Sequence, residues 1–336
     1  MIPFAIPGAL DLPTGGYVYA RRVLAEWRTT GIAAEVVSLS GSFPFPTEAA
    51  LREVNEKLSG DGPYLIDGLA YGAFPEHLAA RIGPKSIVLV HHPLCDEQGL
   101  EPEVASALEA RERVALSYAS GVIATSPMTA RDLTSRFGVA DVVVAVPGTD
   151  PAPRAPLSGN PPRLLSVGSV TPRKGYGVLV QALATCRDLN WVCEIVGADD
   201  RDDAEGMRVR AAIAEAGLTD RVIVRGEIDD MDAAYLGADL FVSSSLHEGY
   251  GMAVVEAMAH GLPVVTTTAG ALKETAPVAR LVAPGDARAL AEALRPLIAD
   301  VEAREALGSE CRAFAVGLPG WPETAQIISS TVESIR

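Results

Sequence analysis

Several familiar signatures are missing from this 336-residue chain, and each absence narrows what it can be. Cysteine is scarce: Cys95, Cys186, Cys193 and Cys311 are scattered, with no C-x-x-C pair and no histidine at zinc-finger spacing. That argues against a disulfide framework or a zinc module and leaves four small core residues. No uncharged apolar run approaches the roughly 18 residues that a membrane span needs. The opening "MIPFAIPGALDLPTGG" has no basic segment before its apolar residues, so the chain reads as soluble and cytoplasmic. Basic residues are outnumbered, 28 to 43, for a formal charge of -15. This balance argues against a protein that tracks nucleic-acid phosphates or is held on anionic lipid by a polybasic patch. Neither G-x-G-x-x-G nor G-x-x-x-x-G-K-[ST] follows the first strand of either half, so the usual dinucleotide and P-loop fingerprints are absent.

What is present is alternation. Short β-branched runs alternate with helical stretches along the whole length, the pattern of parallel sheets covered by helices on both faces. The first half offers "IPFAI", "EVVSL", "YLID", "SIVLV", "GVIAT" and "VVVAV"; the second offers "RLLSV", "WVCEIV", "RVIV", "DLFVSS", "PVVTT" and "ARLVA". Between them "PGTDPAPRAPLSGNPPR" breaks both periodicities, as linkers do. The expected organisation is therefore α/β: two Rossmann-like domains, 1–157 and 158–319, facing across a cleft, with a C-terminal helix over about 320–336 crossing back to the first. In such sheets ligands bind at loops leaving the carboxyl ends of strands.

Four such loops carry chemistry-bearing residues. In "DLFVSSSLHEGYGMAVVEAMAHGLP", Glu248 follows a strand and Glu256 lies one and a half turns into a helix that Gly261 and Pro263 stop. Helical side chains lean toward the N-terminus, so both carboxylates can reach one ligand. The helix is otherwise apolar on every side, so an ionised Glu256 needs partners: the vicinal hydroxyls of a sugar, His260, or a basic residue elsewhere. Gly249 and Gly251 let backbone N–H groups approach a phosphate. In "VGSVTPRKGYG", Arg173 and Lys174 follow a strand that ends at Gly168, and either could neutralise a diphosphate or simply be solvated. Gly15 and Gly16 precede a helix where Tyr17 and Tyr19 could line the cleft, and His91 and His92 end the strand "SIVLV". One of the two histidines could meet a substrate hydroxyl while its neighbour packs.

The stretch "EGYGMAVVEAMAHGLPVV", with its E-x7-E spacing, and "VGSVTPRKG" upstream of it resemble glycosyltransferase family 4, retaining enzymes of the two-Rossmann-domain GT-B fold that use nucleotide-diphospho-sugars. The resemblance covers most of residues 163–285; the first half shares only "PTGG" and the strand-end histidine. It implies that Glu256 binds the donor ribose, that Glu248 contacts the transferred sugar, and that the backbone of Gly249, Tyr250, Gly251 and Met252 holds diphosphate or sugar. It further implies that Lys174, with Gly168 in its loop, stabilises the departing diphosphate. Gly16 matches the glycine that lets the first loop approach the phosphates, His92 matches the histidine near the sugar, and the strand end from Gly226 to Ile228 matches the base site. His91 and Tyr17 are left facing the acceptor.

The chain departs from that pattern in places. Ser169 stands where the family often has arginine, Pro93 where an acidic residue commonly follows the histidine, and Met252 and Ala253 where leucine and proline are frequent. Arg173, four residues on, is the nearby cation that could compensate for the missing arginine or leave it unreplaced. No Asp-x-Asp metal site is evident, and the acid-rich "GADDRDD" over 197–203 reads as a solvated loop. The expectation is a metal-independent hexosyltransferase with no cofactor, transferring from a UDP- or GDP-sugar. Because helices such as "TEAALREVNEKL" and "EPEVASALEARERV" make the first half acidic, its acceptor is expected to be soluble. The alternatives are a nucleotide-sugar epimerase of the same fold and a catalytically inert sugar-nucleotide-binding subunit.

Overall fold

The computed structural model describes residues 1–12, 14–97, 99–199 and 202–335. It divides into two compact units, Met1–Gly148 together with Pro319–Arg336, and Thr149–Leu318. The boundary therefore falls before residue 158, with physical cause. Ala155 and Leu157 are buried in the second core. Ala155 N donates to His260 O at 2.8 Å, and Gly159 N donates to Asp239 Oδ1 at 2.7 Å. The proline-rich stretch is a strap on the second unit rather than a free linker.

In the first unit six parallel strands, β1 (Ile2–Pro7), β2 (Ala34–Leu39), β3 (Tyr64–Asp67), β4 (Ser86–Val90), β5 (Gly121–Ala124) and β6 (Val143–Val144), stand in the order β2-β1-β3-β4-β5-β6. Every residue of β4 is buried, as expected for an inner strand covered on both faces. The helix Gly15–Thr30 ends at Gly31, whose φ of 75° lies in the left-handed region. Pro127–Phe137 starts at Ser126, whose hydroxyl accepts from Thr129 N. Trp321–Glu333 belongs to this unit: Trp27 Nε1 donates to Ala325 O at 2.9 Å, and Thr324 Oγ1 donates to Val146 O at 2.8 Å. Gly148 admits no side chain, because a Cβ there would lie 2.2 Å from Trp321 N.

Two buried acids stand out in this unit. Glu112, fully buried, accepts Leu94 N at 2.9 Å through Oε2, while Oε1 has no hydrogen-bond partner among the described residues. Burial pushes its carboxyl up to about 8. Asp67, at the end of β3, accepts Leu69 N at 2.8 Å, and burial raises it to about 6.

The second unit has β7 (Arg163–Val167), β8 (Val192–Val196), β9 (Val222–Gly226), β10 (Leu240–Val242), β11 (Val264–Thr267) and β12 (Arg280–Val282), all parallel, in the order β12-β11-β10-β7-β8-β9. The chain winds outward from β7 to β9, then returns to the middle and winds the other way from β10. The strand order therefore reverses between β7 and β10, where the loops after the two strands diverge and leave a crevice. Cys186, Cys193 and Cys311 are free and buried in this unit's core. Cys95, in the first unit, is half-buried at the margin of that unit's core and lies against Arg136, 3.0 Å from its Nη2. Of the acid-rich loop, Asp200 and Arg201 lie outside the described residues. Asp199 pairs with Arg210, and Asp202 caps the helix Asp203–Glu215. No helix of the described residues is long and apolar enough to cross a membrane.

Candidate active site

The reversal point of the second sheet gathers the charged residues. After β7 the chain passes Gly168 and makes a short turn, Pro172–Lys174, that ends at Gly175 with φ 63°. A Cβ on Gly175 would lie 2.4 Å from Ser244 O, so only glycine lets this turn pack on the loop leaving β10. Two bonds lock the loops together: Leu246 N donates to Arg173 O at 2.7 Å and Ser244 Oγ to Lys174 O at 2.9 Å.

That docking brings both cations onto one carboxylate. Lys174 Nζ donates to Glu248 Oε1 at 2.7 Å, and Arg173 Nη1 donates to Glu248 Oε2 at 3.2 Å and to His247 O at 3.1 Å. Adjacent side chains ordinarily diverge; the tight turn overrides this, so Arg173 and Lys174 share a partner instead of pointing to separate ones. Ser245 Oγ adds a third donor to Glu248 Oε1 at 2.7 Å, and Thr267 Oγ1 fixes Ser245 by donating to its carbonyl, also at 2.7 Å. From below, Ala271 N donates to Glu248 O at 2.9 Å. Burial alone would raise the Glu248 carboxyl, but Lys174, Arg173 and Ser245 outweigh it and hold it down at about 2. Gly168 makes room for the lysine: a Cβ there would lie 2.5 Å from Lys174 Cε.

The helix bearing Glu256 is expected from its residues to be apolar on every side, yet Glu256 is half-buried, whereas Glu248 in the loop is only 7% exposed. The helix Met252–Ala259 buries Val254, Val255, Ala257, Met258 and Ala259 but leaves Met252, Ala253 and Glu256 half-buried. Those three share a stripe beginning at the helix N-terminus, so the helix is not enclosed all round. Tyr235 Oη donates to Glu256 Oε2 at 2.7 Å. The expected alternative, an ion pair with His260, takes another form: His260 Nδ1 meets the Glu256 main-chain oxygen at 2.8 Å. Gly251 opens the helix at φ 93°, Gly249 is half-buried, and Tyr250 is buried with its carbonyl accepting Thr275 Oγ1 at 2.8 Å. At the end of β9, Gly226 has φ 73° and Ile228 is exposed.

The first unit has its own cluster, at the strand ends beside its reversal between β1 and β3. His91 Nε2 lies 3.8 Å from Asp67 Oδ2, and a Cβ on Gly16 would come within 3.3 Å of the same nitrogen. Burial holds the His91 imidazole down at about 4, so it is neutral at physiological pH. His92 turns instead to Glu97, 3.4 Å away. Tyr17 Oη folds back to donate to Pro7 O at 2.6 Å. Tyr19 lines nothing: it is fully buried, with its ring edge-on to His91 and Trp321. Among the described residues no group of histidine, cysteine or acid side chains is arranged to hold a metal ion.

Sequence reasoning missed Ser245, Tyr235 and Asp67. Ser245 could have been found, because it stands three residues before Glu248 on the same loop. Tyr235 is one aromatic among many until folding brings it to Glu256.

The comparisons place this architecture. Sucrose-phosphate synthase from Thermosynechococcus elongatus superposes with a TM-score of 0.83 at 21% identity, covering 100% of this chain and 99% of that one. Anabaena HepE in complex with UDP-glucose superposes with a TM-score of 0.77 at 22% identity, covering 99% of each. The fold is thus that of the GT-B glycosyltransferases. In sequence, a family model for glycosyl transferases group 1 matches residues 161–300. The 2-deoxystreptamine glucosyltransferase of Streptomyces kanamyceticus is 30% identical over 266 residues, 70% of this chain and 67% of the relative. An MMP alpha-(1->4)-mannosyltransferase of Mycolicibacterium hassiacum is 28% identical over 354 aligned residues, 96% of this chain and 80% of the relative. The chain belongs to the group 1 glycosyl transferases and is a glycosyltransferase.

Proposed function

We propose that this chain is a retaining, metal-independent hexosyltransferase of family 4, moving a sugar from a UDP- or GDP-linked donor to a hydroxyl of a soluble acceptor. The observation that carries the reading is the convergence of Lys174, Arg173 and Glu248 at the reversal point of the second sheet. Two cations at that point suit a diphosphate, and charge on a departing diphosphate is what a transferase must stabilise. Arg173, already on the same carboxylate as Lys174, would supply the charge missing at Ser169. In this role the pair makes a metal ion unnecessary.

Glu248 would then lie beside the transferred sugar and Glu256 would take the ribose hydroxyls. The backbone from Gly249 to Met252, with Gly168, would line the diphosphate, and the turn from Gly226 to Ile228 would hold the base. In the reaction, the bond from the anomeric carbon to the diphosphate oxygen breaks as the acceptor oxygen bonds to the same face, and the acceptor proton passes to the leaving diphosphate. The half-exposed His92 and Gly16 would serve the sugar and phosphates. His91 and Tyr17 are the acceptor-side residues, and Asp67 joins them because it faces His91. Relatives named for 2-deoxystreptamine and D-inositol 3-phosphate support a small polyhydroxylated acceptor.

A donor panel scored by thermal shift tests this reading. A donor at 100 times its dissociation constant adds about 2.7 kcal/mol of stability. Stabilisation by one UDP- or GDP-sugar and transfer with retention at the anomeric carbon are expected. No shift with any nucleotide sugar, or an epimerised sugar formed from donor alone, would remove the proposal.

A further inference from the structure

Tyr235 is the residue whose geometry goes furthest beyond these assignments. It sits at the end of the helix Met231–Leu236, is 1% exposed, and sends its hydroxyl to Glu256 Oε2 at 2.7 Å. Ala253 O lies 3.4 Å from the same oxygen, a poorer acceptor for a single proton than the nearer carboxylate. The ring cannot swing away. It stacks on His260 with centroids 4.7 Å apart and planes at 27°, and it packs beside Phe241 at 6.2 Å. His260 is itself tied to the Glu256 main chain through Nδ1 and lies 3.2 Å from Asp232 Oδ1 through Nε2. Tyrosine, imidazole and glutamate thus form one closed loop of contacts that returns to residue 256.

We infer that Tyr235 is a positioning residue for the donor nucleoside: by holding one oxygen of Glu256, it sets how strongly the site prefers a ribose with free 2′- and 3′-hydroxyls. The inference rests on the assignment of Glu256 to the ribose. A half-buried glutamate has three side-chain torsions to immobilise when it meets a diol, and that ordering subtracts from affinity. A tyrosine hydroxyl on a fixed ring does the ordering in advance. Burial, followed by the neighbouring Glu256, raises the phenol well above its ordinary value, so it remains a donor throughout the working pH range.

The test is calorimetric binding of UDP and of 2′,3′-dideoxy-UDP, with the matching GDP pair in parallel, to the full chain and to Tyr235→Phe. The wild-type chain should prefer the nucleotide with hydroxyls by about tenfold, the size of one hydrogen bond to a charged group. Tyr235→Phe should prefer it by about threefold or less, with dideoxy binding unchanged and KM for the donor raised at constant kcat. Replacement of Tyr235 by 3-fluorotyrosine, which keeps ring and hydroxyl, should retain the preference and provides the reading if the phenylalanine variant does not fold. Undiminished preference in Tyr235→Phe, equal weakening of both ligands, or loss of preference with 3-fluorotyrosine overturns the role of Tyr235 alone. A wild-type chain without preference, or one that binds none of the four nucleotides, overturns the ribose assignment of Glu256 and the inference with it.

Discussion

Lys174 and Glu248, 74 residues apart in sequence, form a 2.7 Å ion pair from which water is largely excluded. Three donors converge on that carboxylate, so its ionised form is secured, and the cations are held in place before any ligand arrives. A site preorganised in this way does not reorganise its dipoles when charge develops on a leaving group.

Lys174→Ala should lower kcat for transfer by about 100-fold or more, the magnitude seen when one preorganised donor is removed. Arg173 and Ser245 still hold Glu248, so the loss of stability should stay below the roughly 3–5 kcal/mol of a fully orphaned buried charge. Steady-state kinetics and urea denaturation check the two halves. Unchanged kcat would take Lys174 out of the chemistry.

Glu248 sets a pH dependence of stability. Its folded value of about 2 lies below the ordinary 4.5, so its contribution is present in full above 4.5 and is lost as pH falls toward 2. The stability gap between wild type and Glu248→Gln should therefore be largest near neutrality and shrink between these values. Denaturation curves at several pH values would show it, and a gap that widens in acid would refute it.

Glu112 has the opposite sign. Its folded value is raised to about 8 from 4.5, so its contribution is present in full below 4.5 and declines as pH rises through 8. Glu112→Gln can still accept Leu94 N through its amide oxygen. It should match wild type in acid and become the more stable of the two by pH 9. Parallel thermal melts at pH 5 and 9 test this.

Ser245→Ala removes one donor from a buried carboxylate. It should cost about 1.5–3 kcal/mol, as hydrogen bonds to charged groups do, and lower transfer about tenfold by loosening Glu248. Ser245→Thr, which retains a hydroxyl, should recover part of the activity. Equal damage from the two variants would show that only packing matters.

Gly168→Ala places a methyl 2.5 Å from Lys174 Cε, at a φ of 151° that side chains rarely adopt. About 1–3 kcal/mol of backbone strain is expected, along with a larger loss of kcat than of donor affinity, because the lysine is displaced while Glu256 is not. Binding and turnover measured on the same preparation separate the two.

Much of this was legible in the residues. Each of the twelve strands falls on one of the β-branched runs, with β1, β2 and β9 extending one or two residues past theirs, because a strand covered on both faces must be apolar throughout and is bounded by turns. The loops bearing Lys174, Glu248 and Glu256 could be picked out by the rule that strand carboxyl ends carry ligands. Burial was not legible. The sequence places Glu248 in a loop without saying how deep that loop lies, and only the tertiary approach of Gly270, whose Cβ would lie 2.1 Å from Glu248 O, shows how tightly it is packed. The boundary was misplaced because prolines signal a break in periodicity, whereas Ala155 and Leu157 reveal their burial only once the second core exists. Tyr19 was misread for the same reason, since its partner Trp321 is supplied by the far end of the chain.

That last partner bears on biosynthesis. The second unit is contiguous from Thr149 to Leu318, so its entire core is synthesised before the helix that covers Tyr19 and Trp27. The half of the chain translated first is consequently the half completed last, and its waiting apolar face is the stretch a chaperone would have to shelter.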